Sequence, residues 1–182
     1  MHDMSAADLR SAFGGESMAH MRYKVWADVA AKEGFPNVAR LFTAISRAEQ
    51  AHATNHFQAL RDVDGAFLVP SIAGFGVGTT SENLAGAIEG ELFEINEMYP
   101  AYMEVAKMQK EKAAIVSFHY ALSAEKIHAA MYTKAKEAVD GGKDVALGTV
   151  HVCKVCGYTV EGDAPDRCPI CNAGKADFIA FA

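Results

Sequence analysis

The sequence predicts an all-α four-helix bundle with one long crossover, followed by a small C-terminal module that a metal ion holds together. Helical stretches fill most of residues 5–140, two short breaks flank one long glycine-rich segment, and all four cysteines lie within residues 153–171. Two short connections on either side of a long one are typical of a bundle with a single crossover. The predicted boundaries are 1–142 for the bundle, 143–149 for a linker and 150–182 for the tetracysteine module.

Each helix is predicted from its caps and breaks. Gly34 and Pro36 interrupt the first hairpin, and Gly141 with Gly142 ends the last helix. Residues 64–80 are too rich in glycine and proline for regular helix, so they are expected to run along the bundle as the crossover. The first helix is predicted from Ser5 to about Glu33, and the second follows the break at residues 34–37 and reaches about Asp62. The third is capped by Thr79, Thr80 or Ser81, bends at Pro100 and reaches about Gln109, and the fourth runs from about Lys112 to Asp140.

Composition and charge argue against several classes of protein. The formal net charge is -6 and no cluster of Lys and Arg forms a basic stripe, which argues against nucleic-acid binding. No apolar run approaches the ~20 residues of a membrane-spanning helix, and the amino terminus lacks the pattern of a secretion signal. We therefore expect a cytoplasmic protein that binds neither nucleic acid nor membrane, and whose cysteines are metal ligands rather than disulfides.

An internal repeat relates the two helical hairpins. An offset of 76 residues relates Glu49 to Glu125 and His52 to His128. The hairpins therefore resemble two copies of one unit, related by a pseudo-two-fold axis with the acidic positions at its centre. The same offset relates two aromatic pairs: Tyr23 with Tyr99, and Phe42 with Phe118.

The strongest signal in the bundle is a Glu-x-x-His motif on each of two helices. Residues three apart share one helix face, so each motif presents a carboxylate and an imidazole in the same direction. Acidic residues on the other two helices complete a set that matches the known pattern of ferritin-like di-iron bundles. Carboxylates can bridge two hard iron ions, and without metal so many buried carboxylates would have to take up protons. The candidate ligands are Glu16, Glu49, His52, Glu91, Glu94, Glu125 and His128.

Two tyrosines are candidates for contacts with these ligands. Tyr23 and Tyr99 each lie two helical turns beyond a candidate glutamate, so they share its face. Each phenol is either hydrogen-bonded to a ligand carboxylate or part of the aromatic core. His56 is not expected at the metal site, because it lies ~10 Å further along the helix axis than Glu49. His20, one turn from Glu16, is expected to make a simple polar contact.

The C-terminal module contains two Cys-x-x-Cys knuckles separated by eleven residues. Four thiolates suit a tetrahedral zinc or a single iron ion, and the spacing alone does not separate the two metals. About thirty residues cannot build a stable core unaided, so metal binding must supply much of the folding free energy. The candidate ligands are Cys153, Cys156, Cys168 and Cys171.

Taken together, these motifs resemble the rubrerythrin family over nearly the whole chain. The resemblance rests on Gly15-Glu16, the two Glu-x-x-His motifs, Gly90-Glu91-x-x-Glu94, Met98-Tyr99-Pro100 and the paired knuckles. It implies a ferritin-like di-iron bundle fused to a C-terminal rubredoxin-like domain that binds one iron ion. It further implies that all seven bundle candidates are di-iron ligands, with Glu49 and Glu125 as bridges and with Tyr23 and Tyr99 hydrogen-bonded beside them.

The resemblance also implies a function. Rubrerythrins are understood as non-haem peroxidases, so the five glutamates and two tyrosines are expected to act in the reduction of hydrogen peroxide to water. The expected donor of electrons to the tetracysteine iron is a rubredoxin or an NAD(P)H-linked reductase. Because a linker of this length docks more easily on a neighbour, we expect a homo-oligomer with electron transfer between subunits. The alternatives are a ferroxidase, a zinc-ribbon interaction module on a metal-binding bundle, and a manganese catalase.

Overall fold

The computed structural model describes all residues, 1–182, and confirms the predicted fold class. Four long helical segments form the bundle, and a three-stranded antiparallel sheet with its first strand in the centre forms the C-terminal module. The third segment is divided, so the bundle contains five α-helices. The elements are α1 Asp3–Lys32, α2 Pro36–Ala59, α3 Thr80–Phe93, a π-helical turn Glu94–Met98, α4 Tyr99–Gln109, α5 Lys112–Asp140, β1 Val150–Cys153, β2 Thr159–Glu161 and β3 Phe178–Phe181.

Local chemistry explains where the helices begin and end. Pro36 starts α2, where its missing N–H costs nothing. Thr79 caps α3: it accepts a hydrogen bond from the backbone N–H of Glu82, whose side chain bonds back to Thr79. Lys110, at φ 60°, makes the left-handed turn that separates α4 from α5. These local features set the start of α2, the start of α3 and the boundary between α4 and α5.

The third segment differs from the single bent helix that we predicted. Its backbone widens to a π-helical turn over Glu94–Met98, where the N–H of Tyr99 bonds to the carbonyl of Glu94, five residues back. Pro100 follows directly, and proline cannot donate to the carbonyl four residues before it and collides with that carbonyl. The widened turn accommodates this defect, and π turns are frequent at functional sites.

The core is divided into two apolar clusters, one at each end of the bundle. One is built around Trp26, Phe42 and Tyr132, and the other around Leu9 and Phe118. Each of the four segments passes from one cluster to the other, and each carries a fully buried glutamate at the crossing. The buried charges therefore meet at mid-bundle, with apolar packing on both sides.

The crossover segment between α2 and α3 lies along α1. The indole Nε1 of Trp26 donates to the carbonyl of Gly76 at 3.0 Å, and Arg22 Nη1 donates to that of Gly74 at 3.1 Å. Ser71 Oγ donates to the carbonyl of Ser11 at 2.8 Å. Side-chain to backbone hydrogen bonds in both directions thus hold against α1 a segment that has no regular structure of its own.

Within this chain the C-terminal module lies on its own bundle, and docking on a neighbouring subunit stays a prediction. Asp144 accepts hydrogen bonds from the backbone N–H groups of Asn37 and Val38 at the start of α2, at 2.8 and 3.2 Å. Arg40 then donates to the carbonyl of Leu147 at 2.6 Å. The linker is therefore fastened along α2 and brings the module back over its own bundle.

The sheet completes this docking through apolar contact. Val150 and Val152 of β1 are fully buried against Ala44 and Ala48 of α2. The small alanine side chains let the strand approach the helix closely. No helix in the structure is both long and apolar enough to cross a membrane.

Candidate metal centres

The four cysteines of the module converge as the sequence predicted. Their sulfur atoms lie within 4.8 Å of one another, with Cys153 Sγ 3.6 Å from Cys171 Sγ and Cys156 Sγ 3.5 Å from Cys168 Sγ. Asn172, at φ 63°, and Gly157, at φ 78°, make the left-handed turns that close the two knuckles. Four convergent thiols, three of them buried, fit one tetrahedral metal ion.

In the bundle, the two motif histidines and the two motif glutamates interlock. His52 Nδ1 lies 2.8 Å from Glu49 Oε2 and 2.8 Å from Glu125 Oε1. His128 Nδ1 lies 2.6 Å from Glu125 Oε2 and 3.4 Å from Glu49 Oε1. Each glutamate therefore directs one oxygen to each histidine, which is the arrangement that a pair of bridged metal ions requires.

The other two buried glutamates flank this centre, and each is held by a tyrosine. Tyr23 Oη donates to Glu91 Oε1 at 2.8 Å, and Tyr99 Oη donates to Glu16 Oε1. Glu16 lies on the His52 side of the centre and Glu91 on the His128 side. The resulting four-residue groups, each with its ligand atoms within 4.8 Å, are Glu16, Glu49, His52 and Glu125, and Glu49, Glu91, Glu125 and His128.

Glu94 is the one predicted ligand that the structure leaves outside both groups. It begins the π-helical turn, is only half-buried, and lines a cavity of about 710 Å³ beneath the crossover segment. Gly15 and Gly90, each next to a buried glutamate, line the same cavity. The wall of this cavity therefore includes one predicted ligand, Glu94, and the glycines that precede two others, Glu16 and Glu91.

The metal-free centre holds its charges by taking up protons. Burial raises the pKa of Glu49 to about 7, helped by repulsion from Glu125. Burial also raises the pKa of Glu91 well above its ordinary value. For His128, burial acts to lower the pKa, but the Glu125 carboxylate outweighs it and raises the pKa to about 9. Protons thus occupy positions that a cation would take, as the sequence led us to expect.

The donor set passes a direct test of fit to two metal ions. Each of the four fully buried glutamates has one carboxylate oxygen to which no hydrogen bond is assigned, and the only donor near two of these oxygens is an imidazole Nδ1, the atom that would itself bind metal. A buried oxygen without a hydrogen bond is costly. All four belong to the glutamates of the two groups, so metal ions would satisfy them. The unpaired atoms are Glu16 Oε2, Glu49 Oε1, Glu91 Oε2 and Glu125 Oε1.

His56 is a residue of the site that sequence reasoning missed. It is fully buried, with Nε2 3.0 Å from Tyr99 Oη and Nδ1 2.7 Å from Ser117 Oγ. Burial lowers its pKa, so the ring is neutral. Because Tyr99 donates to Glu16, a chain of hydrogen bonds runs from Ser117 through His56 and Tyr99 to that carboxylate. The repeat could have indicated it, since His56 stands opposite Tyr132, another buried ring. His20 makes the simple polar contact expected of it, with Ser46.

The two centres are in direct contact through His52. Its Nδ1 faces the carboxylates, and its Nε2 lies 3.2 Å from the carbonyl oxygen of Cys156. A Cβ atom on Gly157 would collide with His52 Nε2, so only glycine allows this approach. One imidazole therefore joins the carboxylate centre to the backbone of a thiolate ligand.

Fold and site together define a class of protein: a di-iron carboxylate bundle with a fused tetracysteine iron-binding domain. Comparison with known families agrees with this. Residues 8–136 match the family model described as Rubrerythrin, and residues 151–179 match the one described as Rubrerythrin, rubredoxin-like domain. The chain belongs to the rubrerythrin family.

Individual relatives cover the whole chain. A protein named Rubrerythrin-2 from Clostridium acetobutylicum is 48% identical over 178 residues, 98% of this chain and 97% of the relative. Nigerythrin from Nitratidesulfovibrio vulgaris is 31% identical and covers 96% of this chain and 85% of its own length. The solved structure of fully reduced, all-ferrous nigerythrin superposes with a TM-score of 0.86 at 30% identity, over 100% of this chain and 88% of that one.

Proposed function

We propose that this protein is a peroxidase: it reduces hydrogen peroxide to water at the di-iron centre with electrons that pass through the tetracysteine iron. The reaction consumes two electrons and two protons, breaks the oxygen–oxygen bond and yields two molecules of water. The single observation that carries this proposal is the contact of His52 with both centres. An iron store has no need for a built-in electron relay, whereas a reductase does.

The ligand assignment is part of the proposal. Glu49 and Glu125 would bridge the two ions, because each already directs one oxygen to each histidine. Glu16 and His52 would complete one coordination sphere, and Glu91 and His128 the other. Glu94 would join them from the cavity wall. When bound, the iron ions supply Lewis acidity toward peroxide and the capacity to pass electrons.

The protein's own groups would deliver the protons. Tyr99 donates its one hydrogen to Glu16, so its oxygen can only accept from His56 Nε2, and the neutral ring must then accept at Nδ1 from Ser117. All donors of this chain therefore point toward the centre. Ser117 lines a surface cavity of about 520 Å³. A proton taken up at that surface could therefore reach Glu16 without leaving the hydrogen-bond chain. General acid catalysis of this kind contributes typically ~10²–10⁴-fold to a rate.

Substrate would enter on the opposite side, through the cavity that Glu94 lines. Gly15 and Gly90 have no side chains to block the cavity beside the buried ligands, and Arg22 contributes a cation to its lining. Access is therefore separated from proton supply. The exposed face of the tetracysteine module would accept electrons from a rubredoxin or a reductase. Homo-oligomer formation, with electron transfer between subunits, remains a prediction.

Single-turnover oxidation tests the proposal. The iron-loaded protein is reduced without oxygen, mixed with one equivalent of peroxide per di-iron centre, and followed at the absorption of both iron centres. We expect rapid oxidation of the bundle iron followed by the tetracysteine iron, and a much slower reaction with oxygen. Equal rates with oxygen, with the tetracysteine iron left reduced, would instead establish a ferroxidase. Protein with zinc in the tetracysteine site is the matched control and should lack the second phase.

A further inference from the structure

We propose that Thr159 is a positioning residue for His128, and that through it and Cys156 the tetracysteine module controls metal binding in the bundle. The observation is that both motif histidines turn one nitrogen to the carboxylates and the other to the same short stretch, residues 156–159. This stretch belongs to the first knuckle and the strand that follows it. The inference concerns metal binding and does not depend on the reaction catalysed.

The contact of His128 with the module is well defined. Its Nε2 lies 3.0 Å from Thr159 Oγ1, and both side chains are buried, at 0% and 1% exposure. Thr159 Oγ1 in turn donates to the carbonyl of Gly157 at 3.0 Å. A hydroxyl has one hydrogen, and here the carbonyl of Gly157 takes it, so the oxygen can only accept from His128. His128 must therefore carry a hydrogen on Nε2.

This hydrogen bond determines what the other nitrogen of His128 can do. A neutral imidazole with its hydrogen on Nε2 has a lone pair on Nδ1, and Nδ1 is the atom that faces Glu125 and Glu49. Metal ions bind that lone pair. Thr159 thus selects the metal-binding tautomer of His128 and fixes the plane of its ring, which is how partners of ligand histidines act in metal sites.

His52 is held in the same way by the same stretch. The carbonyl of Cys156 can only accept, so His52 also carries a hydrogen on Nε2 and turns Nδ1 to the carboxylates. The two imidazoles, related by the 76-residue repeat, therefore depend on backbone and hydroxyl groups that lie outside the repeat. The bundle supplies the ligands, and the module sets their tautomers.

The geometry of this stretch depends in turn on the metal of the module. Cys153 and Cys156 are ligands, the N–H of Gly157 donates to the carbonyl of Cys153 at 3.0 Å, and Thr159 pairs with Val152 across the sheet. Loss of the tetracysteine metal would free the stretch and release both imidazoles. Because coupling between sites is reciprocal, occupancy of the bundle should strengthen metal binding in the module as well.

Two variants of full-length protein test the role of Thr159. Thr159→Val keeps the shape of the side chain and removes only the hydroxyl, whereas Thr159→Ser keeps the hydroxyl. We expect T159V to weaken ferrous binding in the bundle by ~10–100-fold, measured by competition with a chelator, and T159S to retain it. Thr133→Val is the matched control, because the hydroxyl of Thr133 on the same helix as His128 bonds only to Ala129. Wild-type affinity in T159V would overturn the proposal.

Nitrogen-15 NMR of the histidines in the zinc-loaded protein gives a readout that general destabilisation would not imitate. In wild-type protein we expect the hydrogen of His128 on Nε2, with slow exchange, and in T159V rapid exchange of that hydrogen. A hydrogen on Nδ1 in wild-type protein would refute the proposal even if a variant failed to fold.

A double-mutant cycle with Cys171→Ser tests the coupling to the module. Removal of the tetracysteine metal should weaken the bundle site in wild-type protein, and less so in T159V, because part of the coupling has already been lost. Equal effects in both backgrounds would show that the module metal does not act through Thr159.

Discussion

The two sides of the di-iron centre, called here the Glu91 flank and the Glu16 flank, pack their rings alike but differ in hydrogen bonding. On the Glu91 flank, Tyr23 packs on Phe42 and Tyr132, with ring centroids 5.8 and 5.4 Å apart. On the Glu16 flank, the repeat-related rings make the same trio, with Tyr99 5.9 Å from both Phe118 and His56. Tyr132 Oη has no hydrogen-bond partner, whereas His56 is bonded at both nitrogens. The ring packing is therefore the same on both flanks, and the one ring that differs, His56 at the position related to Tyr132, gives the Glu16 flank a polar connection to the surface.

The two flanks also differ in the protonation of their glutamates when no metal is bound. Burial raises the pKa of Glu91 well above its ordinary value, so this carboxyl is protonated without metal. Burial acts in the same direction on Glu16, but the neighbouring His52 cation and the contact with His56 outweigh it and lower that pKa. The flank with the polar connection therefore keeps its anion, and the closed flank keeps its proton.

Removal of the metal should produce the largest change in stability, because the ligands of the centre then hold protons in place of metal ions. The folded pKa values of Glu49, about 7, and His128, about 9, lie above the ordinary 4.5 and 6.5. Their stabilising contributions are complete below those ordinary values and are lost as pH rises through about 7 and about 9. Metal-free protein should therefore lose stability, on the order of 3 kcal/mol from Glu49 alone, as pH rises over this range.

Thermal melts of metal-free and metal-loaded protein across this pH range would check the prediction. The loaded protein should not lose stability in the same window, since metal binding requires the deprotonated ligands. A metal-free protein that becomes more stable with rising pH would contradict the assignment of protons to Glu49 and His128.

His56→Leu should have the next largest effect, because it interrupts the polar connection. We expect peroxide reduction to slow by ~10²-fold while the iron content is kept, since the ligands are untouched. Pre-steady-state rates measured with peroxide give the result. The repeat-related change Tyr132→Leu is the control for cavity formation: it should destabilise the fold without the same loss of rate. Equal rate losses in both would mean that His56 acts only by packing.

Removal of each of the two tyrosine hydroxyls that bond to a ligand glutamate should lower the unfolding free energy by a smaller amount, and by a different amount on each flank. Tyr23→Phe breaks one buried hydrogen bond, and Tyr99→Phe breaks two, because Tyr99 also accepts from His56. We expect losses of ~1 kcal/mol for Y23F and about twice that for Y99F, measured by denaturant unfolding of the metal-loaded proteins. A larger loss of stability for Y23F than for Y99F would contradict the proposal that Tyr99 makes the additional hydrogen bond.

Tyr132→Phe should have the smallest effect. The hydroxyl of Tyr132 is buried without a partner, so its removal takes away a cost and no interaction. Unfolding free energy should stay the same or rise slightly, and peroxide turnover should not change. A clear loss of stability would reveal a hydrogen-bond partner for this phenol, such as an ordered water molecule.

The sequence was sufficient for the fold and for most of the centre, and the reasons are physical. The bundle follows from helix caps and from one long glycine-rich segment, both of which are local signals. Glu49 with His52, and Glu125 with His128, could be grouped because helix periodicity alone puts residues three apart on one face. The cysteine knuckles have a fixed spacing that requires no knowledge of tertiary structure.

What could not be predicted depends on contacts between elements. His56 was rejected for its distance along the axis from Glu49, but it reaches the centre through Tyr99, which lies on another helix. The π turn at Glu94 results from how the helix accommodates Pro100. The docking of the module depends on Asp144 at the start of α2, where a carboxylate in a presumed spacer caps a distant helix.

The anchoring by Asp144 also limits how the protein can vary in length. Only the short stretch 145–149 separates this fixed point from β1, and Val145 is itself buried in the bundle core. A single inserted or deleted residue here would move Cys156 and Thr159 out of line with the imidazoles that they meet. The crossover, by contrast, has no regular structure to keep in register. Relatives that differ in length should therefore differ in the crossover and keep this stretch unchanged.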